Sequence, residues 1–145
     1  MKLRLLIVTV VLGASLLVAG DPAPSVRYFG HDEVAAVLTH SGTLMTAPDL
    51  LVMGSHRTGP GQVELHDKET DVFYITDGEA TFVTGGKMVG GHVTRPGQWM
   101  GTDITGGEAR HLSKGDVIVI RAGSPHWFKE VPHSVSYFVV KVLKQ

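Results

Sequence analysis

Four side chains in two separated segments have the types and the spacing of metal ligands. Glu64 and His66 stand two residues apart, Asp71 follows five residues later, and His126 comes from a distant segment. Because side chains alternate across a strand, Glu64 and His66 point to one face and Leu65 to the other. Two imidazoles with one or two carboxylates suit a divalent transition metal such as Mn, Fe, Ni, Co or Zn. The sequence therefore predicts one mononuclear site with Glu64, His66, Asp71 and His126 as ligands.

Glu64 has two alternative roles in such a site. A carboxylate beside a metal either ligates it or moves protons as a general base, and the sequence leaves both roles open. Asp71, Phe73 and Ile75 share one face of the following strand. If that face is the interior, Asp71 lies among apolar groups within reach of His66. Each residue by itself is more often an ordinary polar group at a strand end, and it is their joint spacing that favours a metal.

Four further residues are candidates for the lining of a substrate pocket. His56 lies near the end of a predicted strand, and Trp99 lies in a long connection, where binding residues are common. Phe73 and Phe128 lie close in sequence to the predicted ligands. The sequence thus predicts a pocket lined by His56, Phe73, Trp99 and Phe128, next to the metal.

The first twenty residues have the pattern of a secretory signal peptide. Lys2 and Arg4 form a short basic region, residues 5–17 are almost all apolar, and small residues precede a cleavage position near Gly20. The apolar run is shorter than the ~20 residues of a membrane-spanning helix. We therefore expect an exported protein, periplasmic or secreted, that has no stable membrane insertion after processing.

The remaining chain, residues 21–145, is expected to form a single domain. Without Lys2 and Arg4, 11 basic residues face 14 acidic ones, so the processed chain carries a net charge of about −3. No basic stripe is present, which argues against a nucleic-acid partner. The chain contains no cysteine, so a metal must be held by nitrogen and oxygen ligands.

The pattern of apolar residues predicts one helix followed by short strands. The helix is expected over residues 31–39, where Asp32 and Glu33 suit its start and Ser41-Gly42 its end. Residues 90–107, rich in glycine, are expected to form a long loop. Short runs punctuated by glycine predict a sandwich or barrel of about six to eight antiparallel strands. They cover residues 50–56, 61–66, 71–76, 80–84, 87–89, 109–113, 117–121 and 135–143.

The two ligand segments resemble the paired motifs of the cupin superfamily, in a small single-domain form. The matching residues are Glu64-x-His66-x4-Asp71-x6-Gly78 and Gly115-x5-Arg121-x-Gly123-x2-His126-x3-Glu130. The first motif is degenerate, since Glu64 stands where the family has a histidine and Asp71 where it has a glutamate. In the second, Arg121 and Glu130 replace a proline and an asparagine.

This resemblance implies an all-β, antiparallel double-sheet jelly-roll (cupin) barrel with one short N-terminal helix. It further implies a metal-dependent enzyme acting on a small polar organic molecule, by oxygenase, isomerase or lyase chemistry. The alternative is a non-catalytic module that binds a sugar or another small molecule. A homodimer is expected, because such proteins often pair through strands like 135–143, for which we expect burial on both faces.

Overall fold

The computed structural model describes residues 25–144, so the predicted signal peptide, residues 1–20, lies outside the described residues. The described chain forms one helix and twelve strands. In chain order these are α1 (His31–His40), β1 (Gly42–Thr46), β2 (Leu50–Arg57), β3 (Val63–His66), β4 (Glu69–Thr84), β5 (Lys87–Val89), β6 (His92–Arg95), β7 (Gln98–Gly101), β8 (Asp103–Thr105), β9 (Glu108–Ser113), β10 (Val117–Ile120), β11 (His126–Glu130) and β12 (Val135–Leu143). Between residues 25 and 144, no helix is long and apolar enough to cross a bilayer.

All strand pairs are antiparallel, and most strands join one strongly curled sheet. Its order is β1-β2-β12-β4-β11-β3-β7-β6, with β9 and β10 also paired to β4, while β5 and β8 form a separate ribbon. The expected all-β jelly roll with one N-terminal helix is confirmed. The strand that organises it is β4, which has sixteen residues and pairs with four other strands.

The strand β4 spans the two segments predicted as separate strands. Its first half pairs with β10 and β12, and its second half pairs with β9 and β11. The change of partners falls at Gly78, whose φ is +74° and where an added Cβ would lie 2.0 Å from the carbonyl oxygen of Ser134. Only glycine tolerates both this backbone conformation and this approach. A glycine in this position therefore bends the strand between the two halves without ending it.

The prediction of a long loop over residues 90–107 was wrong. That segment contains β6, β7 and β8, and β7 pairs with β3 through residues 63–66. Four exposed residues form β6, so no apolar alternation marked it in the sequence. These short strands, with β1 and β11, raise the number of strands in the described chain above the six to eight expected.

The helix α1 matches its prediction to within one residue. It packs on the outside of β2, where Val37 lies against Gly54. A Cβ added to Gly54 would lie 2.6 Å from the Cγ2 atom of Val37. Ser41 follows with a φ of +57° and so turns the chain out of the helix into β1. Gly54 thus allows the helix to lie directly on the sheet.

An aromatic cluster fills one end of the barrel interior. Phe73, Phe82, Phe128 and Tyr137 are all at most 5% exposed. Their ring centroids lie 4.6 to 5.9 Å apart in the contacting pairs. Burial of such large side chains is the main stabilising contribution in a domain of this size.

The strand β12 lies inside the sheet, between β2 and β4. Its inward-facing residues Val135, Tyr137 and Val139 are buried, as expected. The outward face is only half-buried, and Val142 at its end is 49% exposed, so the expected burial of both faces was wrong for this part. The helix α1 lies mainly over β2 and β1 and leaves that end of β12 uncovered.

Candidate metal centre

The structure brings the four predicted ligands together at the end of the barrel interior beyond the aromatic cluster. His66, Asp71 and His126 are at most 4% exposed, while the side chain of Glu64 is 29% exposed. The Oδ2 atom of Asp71 lies 3.3 Å from Nε2 of His66 and 3.8 Å from Nε2 of His126. The Oε2 atom of Glu64 lies 3.8 Å from Nε2 of His66.

Strand register explains this convergence. His126 at the start of β11 stands directly opposite Glu64 on β3. Two residues along β3, His66 falls on the same face as Glu64, as strand alternation requires. The Asp71 side chain comes from β4, whose inward-facing residues continue through Phe73 and Ile75. Three strands therefore deliver the four groups from one inner face.

His126 is in the protonation state that a metal requires. Its Nδ1 lies 3.1 Å from the carbonyl oxygen of Ser124, which can only accept, so Nδ1 carries the proton and Nε2 has a lone pair. Burial lowers the pKa of His126, which keeps the imidazole neutral. A backbone carbonyl on the second nitrogen is the usual way in which a ligating histidine is oriented.

Lys141, a residue that the sequence analysis missed, lies in the middle of this cluster. Its Nζ is 2.9 Å and 2.8 Å from the two carboxylate oxygens of Asp71. The same atom is 3.0 Å from Nε2 of His66 and 3.0 Å from Oε2 of Glu69. The side chain is only 13% exposed, so these groups replace most of its hydration. An ammonium group thus shares the donor atoms of two predicted metal ligands.

The contact with Lys141 also determines the tautomer of His66. An ammonium group only donates hydrogen bonds, so Nε2 of His66 must accept, and the ring proton lies on Nδ1. That nitrogen lies 3.6 Å from Oε2 of Glu69, beyond hydrogen-bond distance, and has no hydrogen-bond partner within residues 25–144. His66 is therefore held with its Nε2 lone pair towards the ammonium group of Lys141.

Asp71 is ionised in this environment. Burial acts to raise the pKa of its carboxyl group, but the charge and the two hydrogen bonds of Lys141 hold that pKa below its ordinary value. The carboxylate is therefore available as a charged ligand or as the counter-ion of Lys141.

Three charged residues of the site were missed, and two of them, Lys141 and Glu69, had a signal in the sequence. Lys141 has the same parity in β12 as Val139 and the other buried residues, so a lysine in line with core positions was the indicator. Glu69 has the same parity as Asp71 in β4, and Arg57 ends β2 with its Nη2 atom 3.7 Å from Glu64. None of them belongs to either motif.

A cavity of about 150 Å³ adjoins the ligand cluster. Phe73 and Phe128, two of the predicted pocket residues, line it, and Arg57 and Lys141 contribute polar groups. A groove of about 750 Å³ between β9 and β10 is larger, but none of the four predicted ligands lines it. The smaller cavity is therefore the candidate binding site.

The structure places His56 and Trp99 outside this cavity. Ser55 and Arg57 line it, so His56 between them points to the other face, where its Nδ1 lies 2.8 Å from Oγ of Ser136. Trp99 stands opposite Leu65, the outward-facing residue of β3, and its indole N–H donates to Asp67. Strand alternation decides both positions.

The residues present fit a divalent transition metal. Two neutral imidazoles and at least one ionised carboxylate form a nitrogen and oxygen donor set, and the donor atoms of Glu64, His66 and His126 lie within 4.8 Å of one another. Glu64, Glu69 and Asp71 carry three negative charges against the two positive charges of Arg57 and Lys141. A cation is therefore electrostatically acceptable, although Lys141 already supplies part of the neutralisation.

Comparison with known proteins identifies the fold. No protein-family profile matches the chain, and no curated protein is similar to it in sequence. Among similar structures, a Bacillus halodurans protein has a TM-score of 0.60 and 12% sequence identity over 86% of each chain. The DMSP lyase DddQ of Ruegeria pomeroyi has a TM-score of 0.51 and 17% identity over 70% of this chain and 45% of the lyase. A Klebsiella pneumoniae protein with a double-stranded β-helix domain has a TM-score of 0.50 and 16% identity over 71% of this chain and 75% of that protein. The chain thus spans less than half of the lyase. The similarity shows the double-stranded β-helix fold of cupin-type proteins.

Proposed function

We propose that this protein is an exported, metal-binding member of the cupin superfamily and an enzyme acting on a small polar organic molecule. The observation that carries the proposal is the convergence of two imidazole nitrogens and the Asp71 carboxylate beside a cavity. The burial of polar groups costs free energy of folding unless they form hydrogen bonds or ion pairs with one another or bind a ligand. Such a cluster in a barrel interior therefore indicates a functional site. Export is part of the proposal and is supported by residues 1–20.

His66, His126 and Asp71 would hold the metal, which would supply Lewis-acid or oxygen-binding chemistry. Glu64 is half-buried on the cavity wall, so it is placed either to complete the ligand set or to exchange a proton with a bound molecule. A similar structure is that of a lyase, so lyase chemistry stands beside oxygenation and isomerisation as a candidate reaction.

The size of the cavity suits a small molecule. A volume of about 150 Å³ equals that of an engineered cavity which binds benzene, so a ligand of about six non-hydrogen atoms fits. One wall is aromatic, and Arg57 is fixed over the ring of Phe128 at 5.1 Å while its Nε donates to the hydroxyl of Tyr137. A guanidinium group held in this way suits a carboxylate or a hydroxyl group of the substrate.

The metal content of purified variants tests the proposal. We expect wild-type protein to retain about one equivalent of a transition metal after dialysis against a weak chelator, measured by plasma mass spectrometry. His66→Ala and His126→Ala should each lose most of it, because each removes a nitrogen ligand. His111→Ala is the matched control, since that histidine is 63% exposed and lies outside the cavity. Wild-type protein that stays empty after reconstitution with every candidate metal would refute the metal site.

A non-catalytic binding module is the second candidate function. It is favoured by Lys141, whose ammonium group neutralises Asp71 and Glu69 without any metal. Oxygen uptake and turnover of small carboxylic and hydroxylated compounds by the reconstituted protein separate the two functions. Saturable ligand binding without turnover over a broad panel would favour the module.

We also propose a homodimer that uses an outer sheet face. Because β12 has partners on both edges, no second copy can pair with its edge. The neighbouring outer face of β10 and β4 carries Val117, Val119 and Tyr74, which are 60%, 56% and 46% exposed. Light scattering should give twice the chain mass for wild-type protein and the single mass for Val117→Lys with Val119→Lys. A monomeric wild type would refute the dimer.

A further inference from the structure

The predicted metal site contains its own cation. Lys141 lies within 3.0 Å of Nε2 of His66 and of both carboxylate oxygens of Asp71, which are the donor atoms that a bound metal would use. We infer that Lys141 competes with the metal for these atoms, so that metal binding requires its ammonium group to leave His66. The inference rests on the proposed function, because it concerns the affinity of the same site.

Lys141 and a metal cannot bind Nε2 of His66 at the same time. A neutral imidazole has one unprotonated nitrogen with one lone pair in the ring plane. The hydrogen bond from Lys141 at 3.0 Å uses the lone pair of Nε2, and a metal on this nitrogen needs the same pair. His126 differs, because its Nε2 receives no hydrogen bond from Lys141 in the described chain. Of the two histidines, only His66 is contested.

Competition for Asp71 is electrostatic. Its two oxygens have several lone pairs and could contact both cations, but one negative charge would then be shared between an ammonium group and a metal. Glu69 offers Lys141 a second carboxylate at 3.0 Å. The ammonium group can therefore withdraw towards Glu69 and leave Asp71 to the metal, at the cost of the contacts with His66 and Asp71.

The fold allows such a movement. Lys141 faces Asp71 in the register of β12 with β4, two residues before the end of β12. Its side chain has a flexible four-carbon stem that can redirect the ammonium group without a change of backbone. The competitor is thus tethered beside the site at a fixed position and acts on every metal that uses His66.

The test compares metal affinity in Lys141→Met with that in wild-type protein. Methionine keeps most of the length of the side chain and its unbranched apolar character but removes the charge and all three donors. Lys144→Met is the matched control, because that lysine is exposed at the end of the described chain. Dissociation constants for Zn²⁺ and Co²⁺ would be measured by competition with a chromophoric chelator, with circular dichroism as a check of folding.

We expect Lys141→Met to bind each metal about tenfold or more tightly than wild type, the scale at which groups around a ligand change metal affinity. Lys144→Met should match wild type. An affinity of Lys141→Met equal to or weaker than that of wild type would overturn the inference while leaving the metal site intact. If only Lys141→Met binds metal, the competition stands and the proposed metal-binding function of the wild type fails. If neither binds, both fail.

A second measurement covers the case in which Lys141→Met does not fold. Lys141→Gln retains a polar donor group and removes the charge, and it should also bind metal more tightly. A crystal structure of wild-type protein soaked with Co²⁺ should show the ammonium group withdrawn from His66. A metal-bound structure that keeps Nζ of Lys141 within hydrogen-bond distance of Nε2 of His66 would overturn the inference.

Discussion

The two ends of the barrel interior are built from the same strands but from opposite kinds of side chain. On β4, Asp71 lies in the polar cluster and Phe73, two residues on, lies in the aromatic cluster. On β11, His126 and Phe128 divide in the same way. The strand β12 repeats the pattern, with Lys141 at the polar end and its preceding inward-facing residues in the core. A single two-residue step along each strand thus separates the charged groups from the aromatic ones.

The two ends of the barrel interior are stabilised by different interactions. The aromatic end is stabilised by the removal of large rings from water, which depends little on pH or salt. At the polar end, each buried charged or polar group is tolerated because a neighbour neutralises it or accepts its hydrogen bond. We therefore expect changes at the aromatic end to affect stability, and at Phe73 and Phe128 also the cavity wall, without a direct effect on metal binding. Changes at the polar end should affect stability, pH dependence and metal binding together.

The largest loss of stability is expected from Phe82→Ala. Phe82 is fully buried, and its ring lies 4.6 Å from that of Phe128. Truncation of a buried phenylalanine costs about 3–5 kcal/mol in free energy of unfolding. Urea denaturation checks this value, and Phe82→Leu, which keeps most of the volume, should cost clearly less. A loss below about 1 kcal/mol would mean that the ring is not packed as described.

Asp71→Asn should cost less than Phe82→Ala but should act on both stability and metal binding. It removes the closest counter-ion of Lys141, which retains Glu69, so a loss of about 1–3 kcal/mol is expected. The double variant with Lys141→Met removes both charges and should lose less than the sum of the two single variants. Strict additivity in urea denaturation would show that Asp71 and Lys141 are not coupled.

Acid should destabilise the metal-free protein through the polar end. The pKa of His126 is lowered by burial from its ordinary 6.5, so below that pH the unfolded chain takes up a proton that the folded chain refuses. Stability should thus be full above pH 6.5 and fall as the pH drops towards the folded pKa. Asp71, whose pKa is also lowered, adds a loss of the same sign below its ordinary 3.8. Thermal unfolding at pH values from 8 to 4 measures how steeply the stability falls with pH. In His126→Gln this pH dependence should be weaker near pH 6.

The smallest effect on stability is expected from Glu64→Gln, which decides the role of this residue. The side chain is 29% exposed, so the change should stay within about 0.5 kcal/mol. If Glu64 is a ligand, the metal content falls; if it is a base, the metal content holds while activity collapses. Plasma mass spectrometry and a turnover assay on the same preparation distinguish these outcomes. A variant with normal metal content and normal activity would exclude both roles.

Local patterns were sufficient to predict an all-β chain with one helix, and the resemblance of the two motifs supplied the jelly roll. The alternation of Asp71, Phe73 and Ile75 correctly placed all three on one buried face, because side-chain direction in a strand depends only on parity. The helix at residues 31–40 followed from its acidic start and its Ser41-Gly42 end. The short strands between residues 90 and 107 were not predictable in this way, since their conformation depends on pairing with partners such as β3.

The sequence by itself determined which groups could reach the barrel interior, through residue type, parity and glycine position. Only the tertiary structure decided which groups share atoms there. His56 and Trp99 have suitable chemistry but lie on outward faces, whereas Lys141, seventy positions after Asp71, stands opposite it across two paired strands. Neutralisation of a buried charge depends on distances of a few ångströms, and these are determined by strand register between distant segments. Whether His66 and Asp71 hold a metal, an ammonium group or each in turn is therefore a property of the folded chain.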